Sequence, residues 1–356
     1  MNQLPQKTSL VAQTAAVILD HIRASRWTVW LPGEHELSAQ LQVSRRTVRA
    51  ALEQLSRNGD VRCKHGHRRE IINRDFLAKK SVSRRVLLLM PEPLQTLSPL
   101  VVLLVDRLRT HLIEAGYVLE THASRLPYRL RSPKGLESLA KTKHPAGWVL
   151  LQSTEPMQRW FAARGLPCVI IGSRYNGIAL PSIDRDHYAI SQHAVNQFIT
   201  RGYKRLAILT PQSDSAGDVL AIKGFQDAIE KSTVAGLQGT VQEHDGSVKD
   251  ICAQIDKLMS RANPPNAFLV CRAHHVLTVL GHLLSNKVRV PQDVAIISRD
   301  DDSFLRNVVP TVARYSHSQR GFETKISRVV MKMLLGELLP EDYKIMPLYI
   351  PGETLD

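Results

Sequence analysis

The sequence is poor in several features that would point to particular classes of protein. It has only four cysteines, Cys63, Cys168, Cys252 and Cys271, and no two of them have the C-x-x-C spacing of a metal or redox site. We interpret them as reduced thiols of a cytoplasmic protein, three of them buried. No apolar stretch is long enough to cross a membrane, and the start, MNQLPQKTSL, lacks the charged and apolar regions of a signal peptide.

Motifs of enzyme chemistry are absent as well. The chain has no G-x-S-x-G, P-loop, Rossmann fingerprint or H-E-x-x-H, so we predict a protein that is not an enzyme and uses no cofactor. Two histidine pairs, His65-x-His67 and His274-His275, could suggest a metal site. Adjacent histidines point in different directions on a helix, however, and no acidic or thiol partner is near, so we predict no metal.

Acidic residues are few relative to basic ones. The chain has 33 Asp and Glu against 47 Lys and Arg, which gives a formal net charge of +14. Such a surplus fits a polyanionic partner, either nucleic acid or an anionic membrane surface, and the charge alone does not choose between them. The length of 356 residues suggests two or three domains, and 43% hydrophobic residues are ordinary for a soluble protein.

Residues 31–55, LPGEHELSAQLQVSRRTVRAALEQL, carry the pattern of two short helices joined by a tight turn. Apolar positions recur at helical spacing and form one stripe on each helix (Leu37 and Leu41; Val48, Leu52 and Leu55). After the turn, the Ser44 hydroxyl can accept a hydrogen bond from a free amide and cap the second helix. Similar spacing over residues 8–25 predicts a further helix upstream.

The second helix of this pair presents cations on the face opposite to its apolar stripe. At about 100° per residue, Arg49 lies roughly 100° and Arg46 roughly 160° from Val48. Such a helix can enter a major groove, where arginine reaches guanine edges or phosphates and the helix N-terminus favours phosphate. The DNA contacts that we predict here are Ser44, Arg45, Arg46, Thr47 and Arg49. The alternative is a solvated basic face.

A hairpin follows the helix pair. In residues 59–72, GDVRCKHGHRREII, the β-prone runs 61–63 and 70–72 flank a basic tip over residues 64–69. This is the pattern of a wing that lies along a minor groove or along phosphates.

Residues 10–72 thereby resemble the winged helix-turn-helix of the GntR family. LPGEHELSAQLQVSRRTVRAALEQLSRNG matches that family's LPSE, ELA, VSR, TVR and AL-L-GL pattern almost position by position. The resemblance implies double-stranded operator DNA as partner, with further contacts from Glu34, His65, Gly66, His67 and Arg68. The wing tip departs from the family's G-x-G-T.

Residues 74–85 are polar and basic and predict a linker, which separates a DNA-binding domain over 1–73 from a second domain over 86–356. From Val86 onward, short aliphatic strands alternate with helices, which indicates an α/β fold with a doubly wound parallel sheet covered on both faces.

The second domain resembles the effector domain of the LacI/GalR repressors, which is related to periplasmic sugar-binding proteins. The segments that carry this resemblance are RGYKRLAIL, KGFQDAI, NAFLVC, VPQDVAIISRDDD and PTV, in this order, and it covers roughly residues 84–352. It implies a periplasmic-binding-protein-like domain of two subdomains joined by three crossovers, with a ligand in the cleft and dimerisation through the flanks. Together with the head, this is similar to the arabinose-repressor architecture, a ligand-responsive, homodimeric repressor of carbohydrate-related genes.

The resemblance also implies where an effector binds. Asp300, in SRDDD, corresponds to the acidic residue that grips sugar hydroxyls in the family, and the carboxyl end of a parallel strand suits this role. The alternative for Asp300, and more so for Asp301 and Asp302, is a solvated acidic turn. The family's ligand-gripping arginine is replaced by Ala221, and its Asn-Asp by Arg272 and Ala273.

The ligand contacts that we predict are Gln152, Arg272, Asp300, Tyr315 and His317, although His317 suits a structural role equally well. Arg272 in a closed cleft needs a partner. That partner is either internal, Asp300 or Asp301, or a carboxylate or phosphate on the ligand. We favour the ligand, and hence a sugar derivative with some acidic character. The replacements at 221 and 272 leave a rival interpretation open, a degenerate and metabolite-insensitive dimerisation domain.

Overall fold

The computed structural model describes residues 10–23, 27, 30–62, 69–72, 83–129, 134–316 and 319–355. It divides into two compact units, Met1–Ser83 and Arg84–Asp356, each with its own core. The division falls within the proposed linker 74–85, of which only residues 83–85 are described.

The described residues of the first unit form three helices and a small antiparallel sheet: α1 (Leu10–Arg23), α2 (Glu34–Leu41), α3 (Arg45–Arg57), β1 (Val61–Arg62) and β2 (Glu70–Ile71). The apolar stripes predicted for the helix pair form its core, because Leu37, Val48, Leu52 and Leu55 are at most 1% exposed. Leu41 is half-buried against the same cluster. The predicted wing strands pair as expected, with Val61 opposite Ile71, and the tip lies outside the described residues.

The second unit consists of two subdomains. The sheet of the first subdomain is parallel throughout, in the order β13-β7-β6-β5-β3-β4. Its strands are β3 (Arg85–Met90), β4 (Val118–Ala123), β5 (Gly147–Leu151), β6 (Cys168–Ile171), β7 (Ser182–Arg185) and β13 (Asp342–Ile345). Its helices are α4 (Pro99–Glu114), α5 (Leu126–Arg129), α6 (Lys134–Lys143), α7 (Glu155–Arg164) and α12 (Gln319–Leu334). Strands β3, β5 and β6 bury aliphatic side chains on both faces, the pattern of a covered parallel sheet.

The sheet of the second subdomain has the order β14-β12-β11-β10-β8-β9, and only β14 is antiparallel to its neighbour. Its strands are β8 (Arg205–Pro211), β9 (Gln238–His244), β10 (Ala267–Val270), β11 (Ala295–Ser298), β12 (Ala313–Ser316) and β14 (Leu348–Ile350). Its helices are α8 (His187–Thr200), α9 (Ala216–Glu230), α10 (Val248–Met259) and α11 (Ala273–Ser285).

Three crossovers join the subdomains, as the resemblance implies. They run from β7 to α8, from β12 to α12, and from β13 to β14. Each one leaves the carboxyl end of a strand, so the carboxyl ends of the strands in both sheets lie beside the crossovers. This edge is where open α/β sheets bind ligands.

Five of the described strands of this unit are missing from the sequence prediction: β7, β9, β12, β13 and β14. Strands β9, β13 and β14 are edge strands with polar or half-exposed side chains, so they lack the apolar run on which the prediction relied. Strand β7, SIDR, is short and ends in two charged residues. Strand β12 was treated only as part of a crossover.

Of the cysteines predicted to be buried, Cys168 and Cys271 are buried and Cys252 is half-buried, while Cys63 lies outside the described residues. Among the helices that the structure describes, none is long and apolar enough to cross a membrane.

Helices α8 and α9 approach each other at Gly224. A Cβ atom at Gly224 would lie 2.3 Å from the backbone oxygen of Tyr188, whereas one at Gly281, on α11, would meet nothing within 4 Å. We expect Gly224→Ala to lower the free energy of unfolding by about 1–3 kcal/mol, because backbone must shift to admit the methyl group. Gly281→Ala, the matched control, should be neutral or stabilising by up to about 1 kcal/mol. Urea denaturation followed by circular dichroism measures both, and equal midpoints for the two variants would contradict this packing.

Candidate functional site

The first candidate site is the N-terminal half of α3 in the first unit. The Thr47 backbone N–H donates to Ser44 Oγ at 3.1 Å, so Ser44 caps the helix as predicted. The preceding turn is fixed by Ser38 Oγ, which donates to the Val43 carbonyl at 2.7 Å, and by Gln42 in a left-handed conformation (φ 52°). The helix therefore begins at a defined residue, with Ser44, Arg45, Arg46 and Arg49 exposed.

Glu34 organises two of the cations around this helix. Arg49 donates to Glu34 Oε2 through Nε at 3.1 Å and Nη2 at 2.9 Å, and Arg69 Nη1 donates to Glu34 Oε1 at 3.0 Å. These hydrogen bonds, that of Arg49 above all, hold the pKa of Glu34 below its usual range. The Glu34 carboxylate thus joins α3 to the residue that precedes β2 at the base of the wing. This geometry indicates that Glu34 positions Arg49 and Arg69, in addition to the DNA contact that the sequence predicts for Glu34 itself.

Some predicted site residues cannot be placed. The wing residues His65, Gly66, His67 and Arg68 and the crossover residue His317 lie outside the described residues, so their roles stay predictions.

The second candidate site lies at the carboxyl edge of the second subdomain, where the carboxylate of Asp218 sits between two arginines. Asp218 is in the first turn of α9, behind the N-cap Ser215. Arg272 grips it in bidentate fashion, Nη1 to Oδ1 at 2.9 Å and Nη2 to Oδ2 at 2.6 Å, and Arg299 Nη1 lies 3.0 Å from Oδ1. The side chains of Asp218 and Arg299 are 2% and 1% exposed, so this is a buried ionic cluster.

Asp300 extends the cluster to the first subdomain. Arg185, the last residue of β7, donates through Nη1 to Asp300 Oδ1 at 2.7 Å, and Arg299 Nε lies 3.5 Å from the same oxygen. Beside them, Ser173 Oγ donates to Asp184 Oδ2 at 2.6 Å, and His187 Nε2 lies 3.3 Å from that oxygen. The Arg185–Asp300 pair therefore joins the last residue of β7 directly to the loop after β11 in the other subdomain.

The charges of this cluster balance internally. Three arginines (Arg185, Arg272 and Arg299) face three aspartates (Asp184, Asp218 and Asp300). Burial would raise the pKa of Asp218 and of Asp300, but the arginines outweigh it and hold both pKa values below their usual range. Burial lowers the pKa of His187, which favours the neutral imidazole at neutral pH. No surplus charge is left inside the cluster.

This arrangement corrects the expectation for the SRDDD segment. The partner of Arg272 is Asp218, and neither Asp300 nor Asp301 contacts it. Asp301 accepts instead from Arg314 Nε at 2.8 Å, and Asp302 caps the short 3₁₀ helix Ser303–Asn307. The alternative of a solvated acidic turn is wrong for Asp300 and Asp301, which pair with arginines and are at most 15% exposed. For Asp302, which among the described residues bonds only its neighbour Ser303, it stands.

Tyr315 and Gln152 lie apart from the cluster. Tyr315 is 0% exposed in the apolar core of the second subdomain, with its hydroxyl 2.7 Å from His193 Nδ1. Its burial gives it a packing role and argues against the predicted ligand contact. Gln152 is exposed after β5 in a left-handed conformation (φ 53°).

Sequence reasoning missed Asp218, Arg299 and Arg185. The helix was predicted to begin at Ala221, which leaves out the first turn of α9 and with it Asp218. The signal was present, since Ser215 and Asp218 have the spacing of a capping box, with Asp in place of Glu. Arg185 ends a strand that the sequence analysis did not predict.

The histidine pair does pack together, contrary to the expectation that its rings diverge. The rings of His274 and His275 lie 4.1 Å apart, and His244 lies 4.7 Å from His275. In the part of the chain that the structure describes, no group of three or more His, Cys, Asp or Glu side chains is arranged to hold a metal ion.

Comparison with known proteins identifies both units. Residues 10–71 match the model of the bacterial regulatory proteins of the gntR family, and residues 195–355 match that of a periplasmic binding protein-like domain. The chain therefore combines a GntR-type helix-turn-helix domain with a periplasmic-binding-protein-like α/β domain of two subdomains.

Several curated relatives match the chain over part or most of its length. The arabinose metabolism transcriptional repressor of Geobacillus stearothermophilus is 20% identical over 325 residues, 85% of either chain. The HTH-type transcriptional regulator CelR of Thermobifida fusca is 23% identical over 200 residues, 55% of this chain and 58% of the relative. The chain thus spans little more than half the length of this relative. The solved structure of a transcriptional regulator CelR–cellobiose complex superposes with a TM-score of 0.66 at 19% identity, covering 91% of this chain and 100% of that one.

The buried cluster should be essential for stability. We expect Asp218→Asn to lower the free energy of unfolding by about 3–5 kcal/mol, because it leaves two guanidinium groups without a buried counter-charge. Asp293→Asn is the matched control, since Asp293 also forms a bidentate pair, with Arg289, but at 37% exposure of its side chain. Scanning calorimetry of both variants measures the difference, and a melting temperature for Asp218→Asn as high as that of the control would contradict a stabilising cluster.

Proposed function

We propose that this protein is a DNA-binding transcription regulator that binds operator DNA through α3 and the wing. The observation that carries the proposal is the exposed, Ser44-capped N-terminal half of α3, with Arg45 and Arg46 exposed and Arg49 held by Glu34. Its apolar face is buried, so the cationic face is the one available to a major groove. A regulator of this kind acts in the cytoplasm and is not an enzyme.

The proposal extends to a carbohydrate-related effector and to repression. CelR is solved with cellobiose, and the relative that aligns over 85% of its length is a repressor of arabinose metabolism. These relatives support a sugar or sugar derivative as ligand of the α/β domain. Such a ligand would act by binding one arrangement of the subdomains better than another, which shifts a population of states.

A second candidate is a regulator whose α/β domain no longer responds to metabolites. The observation that favours it is the balanced cluster of Asp218, Arg272 and Arg299, which occupies the carboxyl edge where a ligand would be expected. Thermal-shift measurements with matched neutral sugars and sugar acids separate the two candidates. A compound that raises the melting temperature supports the effector, and no response to any compound supports the second candidate.

The DNA-binding proposal predicts that the cations of α3 read bases. With an operator selected from a random duplex pool, we expect Arg45→Ala and Arg49→Ala each to weaken binding about tenfold or more and to relax specificity at one position. Lys249→Ala, on α10 in the other unit, is the control and should leave affinity unchanged. Fluorescence anisotropy at moderate salt measures all three. Unchanged affinity in either arginine variant would remove that residue from the recognition surface.

We also propose that the protein binds a pseudo-palindrome as a homodimer. Its affinity should fall steeply with salt, by about 10³ or more between 50 and 200 mM if six or more phosphates are contacted. Titration of full-site and half-site duplexes across this range provides the measurement. A monomer in solution that binds one half-site as tightly as the full site would contradict the proposal.

A further inference from the structure

A cavity lies beside the ionic cluster and takes its lining from both subdomains. It measures about 360 Å³, and its walls come from the loop after β6, from strands β7 and β13, and from α9. Asp184 and Arg185 form part of its lining, whereas Asp218, Arg272, Arg299 and Asp300 do not. The cavity therefore adjoins the cluster and shares two of its residues.

The acidic groups of this cavity already have hydrogen-bond or ion-pair partners within the chain. Arg174, on the loop after β6, pairs with Asp342 at 3.2 Å and with Glu341 at 2.9 Å. Asp184 accepts hydrogen bonds from Ser173 Oγ at 2.6 Å and from the backbone N–H of Arg185 at 2.8 Å. Four cations of the lining (Arg174, Arg185, Lys223 and Lys344) face two carboxylates (Asp184 and Asp342), and this balance favours an anion over a cation.

Two lysines in the lining have no such partner. Lys223 belongs to α9 of the second subdomain and Lys344 to β13 of the first, so each subdomain contributes one lysine to the lining. Both are exposed, and neither forms an ion pair with another described residue. An anion between them would meet one ammonium group from each subdomain.

The rest of the lining suits a small polar molecule with a ring. Tyr175, Tyr343 and Leu220 supply apolar surface, and the Asn176 side chain supplies an amide donor and acceptor. Concave sites that combine apolar walls with a few placed polar groups are typical of small-ligand binding.

We propose that this cavity binds a small phosphorylated, hydroxyl-rich molecule, with its phosphate between Lys223 and Lys344 and its ring against Tyr175 and Tyr343. Binding there also reaches the cluster, because Arg185 lines the cavity and at the same time donates to Asp300. A phosphate that attracts the Arg185 guanidinium competes with Asp300 for it and loosens the direct link between the subdomains. Binding of the phosphorylated molecule in the cavity does not depend on the proposed function, because it does not require DNA. Only its consequence for regulation rests on that function.

The test is calorimetry on the full chain without DNA, with glucose 6-phosphate, glucose and inorganic phosphate as probes. We expect glucose 6-phosphate to bind one per chain and glucose, which lacks the anion, at least tenfold more weakly. The double variant Lys223→Met and Lys344→Met should lose about tenfold or more in affinity for glucose 6-phosphate. The control, Lys249→Met and Lys257→Met on α10, changes the charge equally outside the cavity and should keep the wild-type affinity.

Two results would overturn the proposal. One is equal affinity in the cavity variant and the control, which would move the anion to another basic surface such as the DNA-binding head. The other is the absence of a binding heat with both glucose 6-phosphate and inorganic phosphate at millimolar concentration. Circular dichroism melting of each variant checks that it is folded. Operator binding is measured separately, so failure of the regulator proposal and failure of the cavity proposal give different results.

Discussion

The α/β domain depends on one buried carboxylate. Asp218 is 2% exposed between Arg272 and Arg299, and a charge in such a place is tolerated only when it is paired and hydrogen-bonded. The pairing fixes the first turn of α9 against the residues that follow β10 and β11. Arg299 then neighbours Asp300, and Asp300 reaches Arg185 at the end of β7. Three strand ends in two sheets are thereby held in one arrangement by the chain itself.

This constraint changes what an effector has to do. In a sensor with an empty cleft, the ligand supplies the contacts that join the subdomains. Here the Arg185–Asp300 pair already supplies one contact between the subdomains. A ligand therefore shifts the equilibrium between arrangements of the subdomains only by binding one arrangement better than the other. The cavity lined by Lys223 and Lys344 is a place where a ligand could act in this way, because Arg185 lines it and also belongs to the cluster, whereas Asp218 does not line it.

Local features were predictable from the sequence and long-range ones were not. The cap at Ser44 and the stripe Val48, Leu52 and Leu55 depend on neighbours within two turns, and the structure has them as predicted. The parallel sheets followed from aliphatic runs buried on both faces. The partner of Arg272 lies 54 residues away on another element, and no spacing rule joins the two. Edge strands such as β9 and β13 have half-exposed side chains, so their sequences carry too weak a pattern.

The Arg185–Asp300 pair links the two subdomains without a ligand, and a distance measured between the subdomains tests this link directly. Nitroxide labels can be attached at Ala163→Cys on α7 and Lys249→Cys on α10, with Cys63 and Cys252 replaced by serine. Double electron–electron resonance then measures the distribution of distances between the two labels in the ligand-free chain. A single narrow distance that broadens in an Asp300→Asn variant is the predicted result. A broad distribution in the ligand-free protein, unchanged by Asp300→Asn, would contradict the account.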